Sequence, residues 1–156
     1  MLIRPITPAD LPGLKTIINA TELFPGEMLE AMTAPHLQGE GEEIWLTAEA
    51  DGPLGLAYAA PERMTEGCWN LLLIAVHPAR QGQGIGTRLT QEVERRLSGS
   101  AARLLLVETS GLPEFEGTRG FYRRRGYEEE ARIREFYRAG EDKIIFRKRL
   151  ATPQPA

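Results

Sequence analysis

The sequence predicts an α/β (α+β) domain in which a mixed central sheet of six to seven strands is flanked by about four helices. Residues 71–97 begin as an apolar run of strand length, cross a glycine-rich loop and continue with the four-residue apolar spacing of a helix. A second apolar run at 103–109 completes a strand–helix–strand unit, whose two strands are expected to be parallel. Two apolar segments joined around Asp51-Gly52 indicate an antiparallel hairpin.

The N-terminal part supplies one strand and two helices before that hairpin. Thr7 to Asp10 provides capping residues for the first helix, and Pro25-Gly26 separates it from the second. Met28, Leu29 and Met32 are expected to face inward from the second helix. The expected elements are a strand at 2–7, a helix from about 8 to 20, a helix at 27–33 and a polar loop at 36–41.

After the hairpin, the strand at 68–76 leads into the glycine loop and the central helix. The remaining expected elements are a strand at 103–109, a helix at 114–125 and alternating strands at 127–137 and 143–150. Gly126 would end the last helix in a left-handed conformation. Residues 1–150 are interpreted as a single domain and 151–156, which are rich in Pro, as a flexible tail.

The composition of the sequence excludes several classes of protein and of binding site. The single cysteine, Cys68, excludes an intrachain disulfide and a cysteine metal cluster, and no metal is assigned to the two isolated histidines. No apolar run is long enough to span a membrane, so a cytoplasmic protein that binds neither membrane nor nucleic acid is expected. Residues 1–66 carry 3 Lys and Arg against 11 Asp and Glu, whereas residues 67–156 carry 16 against 11. The basic part could attract an anionic cofactor and the acidic part a cationic acceptor, although both could simply be solvated faces.

The loop between strand and helix carries glycines at three alternate positions, Gly82, Gly84 and Gly86. Such a loop presents unpaired backbone N–H groups at the positive end of the helix dipole, which favours a phosphate or pyrophosphate group. A tight connection without a ligand is the alternative, but three glycines are entropically costly there.

Two motifs now identify a family resemblance that spans nearly the whole chain. Gln81, Gly84 and Gly86 match the [Q/R]-x-x-G-x-[G/A] pyrophosphate loop, and Phe121-Tyr122 with Gly126-Tyr127 match the FY-x-x-x-G-[F/Y] signature of the GNAT family of acyl-CoA-dependent N-acetyltransferases. Both motifs occur in the order and spacing of the family. The block from Glu108-Thr109-Ser110 through Ile144-Ile145-Phe146 resembles an uncharacterised bacterial subgroup of it. The resemblance implies a GNAT acyltransferase fold with a V-shaped splay between strands four and five.

The resemblance also implies a cosubstrate, acetyl-CoA, and the residues that hold it. The loop N–H groups would bind the CoA pyrophosphate, and the end of strand four would pair with the pantetheine arm as an added strand. Val76 N–H would lie near the thioester oxygen, and Tyr122 would donate to the departing thiolate. The implied cofactor-binding residues are Ile74, Ala75, Val76, Gln81, Gly82, Gln83, Gly84, Ile85, Gly86, Thr87 and Tyr122.

The general base departs from the family's pattern, because the chain has Asn70 where several family members carry a glutamate, and an amide cannot take the proton. Glu108, at the end of the predicted strand 103–107, is the best substitute, although it could equally order the next loop or pair with an arginine. The catalytic candidates are therefore Tyr122 and Glu108. The candidates for acceptor binding are Phe24, Glu27, Asn70 and Glu108.

The sequence therefore predicts an N-acetyltransferase that moves an acetyl group from acetyl-CoA directly to a primary amine of a small molecule or peptide, as a monomer or homodimer. Two alternatives stay open. One is a non-catalytic acyl-CoA-binding module, which Asn70 supports. The other is a dinucleotide-binding oxidoreductase, because Glu108 follows Gly84 at about the spacing of a ribose-binding acid.

Overall fold

The computed structural model describes residues 1–151 and contains, within them, a seven-stranded mixed sheet and four α-helices, in agreement with the predicted six to seven strands and about four helices. Neighbouring strands follow the order β1-β2-β3-β4-β5-β7-β6. The elements are β1 (Leu2–Pro5), α1 (Leu11–Thr21), α2 (Leu29–Leu37), β2 (Ile44–Glu49), β3 (Pro53–Pro61), β4 (Cys68–Val76), α3 (Ile85–Ser98), β5 (Leu104–Ser110), α4 (Glu116–Arg124), β6 (Glu128–Arg138) and β7 (Glu141–Arg149). The tail predicted at 151–156 lies outside the described residues, except for Ala151.

The chain divides into two compact units, of which the first comprises Met1–Pro61 and Leu72–Arg96. Here β1, β2 and β3 pair antiparallel, and the predicted hairpin turn forms with positive φ at both Asp51 (54°) and Gly52 (103°). Those two left-handed residues match the twist of the flanking strands. The core of this unit joins α1 to the sheet through fully or almost fully buried residues: Leu14, Ile17, Ile18, Trp45, Leu56, Leu73 and Ala75.

The second unit comprises Glu62–Leu71 and the residues from Leu97 onward. The first part of β4 pairs parallel with β5, as the strand–helix–strand unit predicted, from Cys68↔Leu104 to Leu71↔Val107. Both strands continue beyond this register, as the predicted splay requires. Antiparallel β7 lies between β5 and β6, and β6 is exposed along its whole length.

Several predicted boundaries were wrong, and each has a local cause. Residues Gly26–Met28 form a 3-10 turn before α2, which changes the rotation of the following helix, so Met28 is 49% exposed while Leu29 is fully buried. α2 also continues through Pro35 to Leu37, so the loop that was predicted from residue 36 is shorter. β5 runs from Leu104 to Ser110, one residue later at each end than the predicted strand 103–109, so Glu108 lies inside the strand and not at its end.

None of the helices in residues 1–151 combines the length and the apolarity that a membrane span needs. Gly126 adopts the predicted left-handed conformation, with φ of 87°, directly after α4.

Candidate active site

The backbone conformation of the loop in the first unit explains two of its three glycines. Gly82 and Gly84 have φ of 79° and 83°, a region that L side chains rarely adopt. A Cβ at either position would meet no described atom within 4 Å, so crowding within the chain is not the reason for these glycines. Gly86 lies in the first turn of α3 and has no such requirement.

This loop leaves the start of α3 exposed to solvent. Residues 81–84 are exposed, and the buried side chain of Ile85 fixes the first turn of the helix. The first helical hydrogen bond runs from Arg88 N to Gly84 O, at 3.1 Å. The N–H groups before it lie at the positive end of the helix dipole, where an anion is stabilised.

The end of β4 adjoins the loop within the same unit. Gln81 Nε2 donates to Val76 O at 3.3 Å, and His77 N donates to Leu54 O at 2.9 Å. Ala75 is buried, whereas Ile74 and Val76 are half-buried. The predicted cofactor residues 74–76 and 81–87 are thus brought together at one end of β4.

The two acceptor candidates of the first unit differ in their surroundings. Phe24 is half-buried against the core, whereas Glu27 is exposed in the 3-10 turn before α2. Close to the same core, Trp45 and Tyr58 stack with ring centroids 3.9 Å apart, and the Tyr58 hydroxyl donates to Glu43 at 2.9 Å. Burial, aided by the Glu43 charge, raises the pKa of Tyr58 to about 12.

In the second unit, Asn70 lies between two carboxylates. Its Nδ2 donates to Glu62 Oε1 at 2.8 Å and lies 3.5 Å from Glu108 Oε2. The other oxygen of Glu108 accepts from Lys143 Nζ at 2.9 Å. Lys143 Nζ also lies 3.5 Å from the centroid of the Phe136 ring. Asn70 and Glu108 therefore belong to one polar cluster, together with two residues that the sequence did not suggest.

Glu62 is the more important of the residues that sequence reasoning missed. Its backbone N donates to Cys68 O at 2.8 Å across the turn between β3 and β4, which places Glu62 beside β4, the strand that carries Asn70. The only available signal was this turn, because Glu62 belongs to no motif. Lys143 comes from β7 and gave no signal in the sequence.

Tyr122 lies on α4 in an aromatic environment and is only 6% exposed. Its ring packs against Phe121, Tyr127 and Phe146, with centroids 5.1, 5.5 and 6.2 Å away. Burial raises the pKa of Tyr122 to about 12, although the positive charge of Arg125 acts in the opposite direction. The phenol therefore stays protonated through the physiological pH range.

Arg119 is a third residue that sequence reasoning missed. Its buried guanidinium donates from Nη1 to Ser110 O at 2.6 Å and to Leu112 O at 3.0 Å, and it also pairs with Glu116. Arg119 thereby ties the end of β5, which carries Glu108, to α4, which carries Tyr122.

Comparison with known proteins gives the family. The family model of the acetyltransferase (GNAT) domain matches residues 40–129, more than half of the chain. The chain belongs to the GNAT family. A GNAT-family protein from Desulfovibrio desulfuricans is 34% identical to it, with a TM-score of 0.88 over 96% of this chain and 99% of that chain.

Other GNAT structures share the fold at lower identity. An aminoglycoside 6'-N-acetyltransferase complexed with coenzyme A is 20% identical, with a TM-score of 0.80 and coverage of 100% of both chains. The ribosomal-protein-S18-alanine N-acetyltransferase from Escherichia coli is also 20% identical, with a TM-score of 0.78 over 98% of this chain and 96% of that chain. No curated protein matches the chain. The GNAT resemblance of the sequence is thus confirmed, and with it the predicted fold.

Proposed function

We propose that this GNAT-family protein transfers an acetyl group from acetyl-CoA directly to a primary amine. The observation that carries the proposal is the loop at 81–87, which has two left-handed glycines and an exposed helix start and lies within the region that matches the acetyltransferase domain. Backbone N–H groups in such a loop are suited to binding an anion. A related GNAT enzyme of the same fold is complexed with coenzyme A.

Residues of the first unit hold the cosubstrate in this proposal. The N–H groups of Gly82 to Thr87 bind the pyrophosphate, and the backbone of Ile74 to Val76 pairs with the pantetheine arm. Acetyl-CoA supplies an activated acyl group with a thiolate as leaving group. Val76 N–H is the proposed donor to the oxygen that becomes negatively charged during transfer.

Glu108 takes the proton of the acceptor amine. An alkylamine has a pKa of about 10.4, so roughly one molecule in a few thousand is unprotonated and nucleophilic at pH 7. The Oε2 atom of Glu108 is the oxygen available for this role, because Lys143 occupies Oε1 and the contact from Asn70 is long. Tyr122 donates a hydrogen bond to the departing thiolate, for which a protonated phenol is required.

The proposal has direct transfer through a ternary complex, in which Cys68 does not act as the nucleophile of an acyl-enzyme. Cys68, the single cysteine, is half-buried, and burial raises the pKa of its thiol. A thiol that stays protonated attacks a thioester poorly. The acetyl group therefore passes to the amine while both substrates are bound.

The decisive experiment measures thiol release from acetyl-CoA with a panel of primary amines, alongside calorimetric binding of CoA and of NAD. We expect CoA binding, turnover with at least one amine, and a fall of about 100-fold or more in kcat for Glu108→Gln. Glu108→Asp, which keeps a carboxylate, should retain part of the activity.

The same experiment distinguishes the alternative of an acyl-CoA-binding module. That alternative is favoured by one observation, the ion pair of Glu108 with Lys143, which offsets the charge of the proposed base. CoA binding with no turnover for any amine would establish it and refute the enzyme. Binding of NAD in preference to CoA would contradict both.

A further inference from the structure

β6 forms one edge of the sheet and has β7 as its single neighbouring strand. It is 11 residues long, whereas β1 at the opposite edge has 4 residues. Every residue of β6 is exposed. Because successive side chains of a strand point to opposite faces, the described residues bury neither face of β6. A long, exposed edge strand is a surface on which another chain can pack.

Three large apolar side chains belong to this exposed surface. Ile133 is 44% exposed, Phe136 is 51% exposed and Tyr137 is 43% exposed. The rings of Phe136 and Tyr137 contact each other edge to face, yet both are accessible to solvent. Burial of such side chains favours the association of protein chains.

The charges on β6 are divided along the strand. Residues 128–130 are three glutamates, and the basic residues Arg132, Arg134 and Arg138 all follow them. Glu135 is the single acidic residue in that second part. The first part of β6 therefore has negative charge, and the second part has net positive charge.

Some of these charges have no partner of opposite sign in the described part of the chain. Arg132 and Arg138 form ion pairs with residues of β7. Within residues 1–151, Glu128, Glu130 and Arg134 form no ion pair. These three side chains are available to a partner that has the complementary charge pattern.

A second copy of the chain has that pattern. We propose that the protein forms a homodimer in which the β6 strands of two copies pack antiparallel about a twofold axis near Ala131. Residues equally far from the axis then meet, so Glu128 of each copy contacts Arg134 of the other, and Glu130 contacts Arg132. A parallel arrangement in register would place like charges together instead.

The irregular shape of β6 makes these charges decisive. The ladder of β6 with β7 shifts register between Glu129 and Ala131 and again between Ile133 and Arg138. Such irregularities, like charged side chains, disfavour the addition of an unrelated strand to an edge. Side-chain contacts, rather than a continuous run of main-chain hydrogen bonds, therefore select the second copy as the partner.

The test is the mass of the protein in solution, measured by sedimentation velocity and light scattering from about 1 μM to about 100 μM protein. The measurement does not involve acetyl transfer, so its outcome is independent of the proposed function. Glu128→Arg and Arg134→Glu each place like charges at both symmetry-related contacts and leave the other contacts unchanged. Glu66→Arg, at an exposed residue in the turn before β4, is the matched control.

We expect the wild-type protein to be a dimer, and Glu66→Arg to have a dimer Kd within about twofold of wild type. Glu128→Arg alone and Arg134→Glu alone should each raise this Kd at least about tenfold, because like charges meet twice. An equimolar mixture of the two variants should form a heterodimer with a Kd within about threefold of wild type, because each substituted residue then meets a side chain of opposite charge. Circular dichroism spectra that match wild type would show that both variants are folded.

Three results would overturn the proposal. The first is a wild-type protein that is monomeric up to about 100 μM. The second is a dimer that neither charge reversal weakens. The third is a dimer that both reversals weaken but that mixing the two variants does not restore, because the two charges would then not meet across the interface.

Discussion

Tyr122→Phe tests the role of the phenol with little structural disturbance. The substitution removes one oxygen and keeps the ring that packs against Tyr127 and Phe146. Since Tyr122 is only 6% exposed, a larger change would open a cavity and confuse stability with catalysis. The thermal midpoint of Tyr122→Phe should stay within a few degrees of wild type, as expected for a loss of about 1 kcal/mol or less.

The magnitude follows from the pKa of about 12 that burial gives Tyr122. An ordinary thiol has a pKa of about 8.5, so complete proton transfer from this phenol to a thiolate is uphill by about 5 kcal/mol. A hydrogen bond from the neutral phenol to the developing thiolate instead contributes about 1.5–3 kcal/mol, because one partner is charged. We therefore expect Tyr122→Phe to lower kcat by about 10-fold to 150-fold.

The assay is thiol release from acetyl-CoA with a saturating amine, followed from pH 6 to pH 10. Because the phenol stays protonated over this range, the pH profile of kcat should have the same shape in wild type and Tyr122→Phe. Tyr127→Phe, which alters a neighbouring buried ring, is the matched control and should change kcat by less than about threefold.

Two results would refute this account of Tyr122. A fall in kcat of about 10,000-fold, together with loss of a wild-type ionisation between pH 7 and pH 9, would show that the phenol transfers its proton. An unchanged kcat would show that Tyr122 only packs.

Three further predictions concern the loop, the ion pair of Arg4 with Asp10, and the buried guanidinium of Arg119. Gly84→Ala forces an L residue into φ near 83°, so the free energy of unfolding should fall by about 1–2 kcal/mol and CoA binding should weaken at least tenfold. Gly117→Ala, in α4, is the control and should not weaken CoA binding. Arg4 lowers the pKa of the buried Asp10 carboxyl, so the pair stabilises the fold above about pH 4 and this contribution is lost as the pH falls through the lowered pKa. Urea unfolding should therefore show Arg4→Met less stable than wild type by about 2–4 kcal/mol at pH 7, with a smaller difference at pH 3. In Arg119→Lys, the ammonium group lacks the planar fork that donates to Ser110 O and Leu112 O. This variant should have a lower kcat at unchanged KM for acetyl-CoA. Its free energy of unfolding should fall by about 2 kcal/mol in the same urea assay.

Local sequence signals predicted most of the fold. The strand predicted at 68–76 has the observed bounds of β4, because the apolar run from Leu71 to Val76 is a strong signal and turns flank the strand on both sides. The signals were weakest where short-range geometry changes over a single turn. The 3-10 turn at Gly26–Met28 reversed the expected orientation of Met28, and no periodic pattern could have shown it.

The candidate site was predicted unevenly. The loop at 81–87 could be predicted because its proposed function depends on consecutive backbone N–H groups and on glycines, which are adjacent in the sequence. Asn70 and Glu108 were singled out from their places on two strands, but their partners were not. The pKa of Tyr122 was also outside the reach of the sequence, because it results from burial among three aromatic rings.

The sequence by itself determined the order of the elements, the glycine loop and the family to which the chain belongs. Only the tertiary structure decided which charged groups meet. The contacts of Asn70 with Glu62 and Glu108, and of Glu108 with Lys143, join residues 8, 38 and 35 positions apart. Such contacts depend on strand register and side-chain direction, which emerge only when the sheet is assembled. For that reason the cosubstrate could be predicted from a local motif, whereas the partners of Asn70 and Glu108 became visible only in the folded cluster.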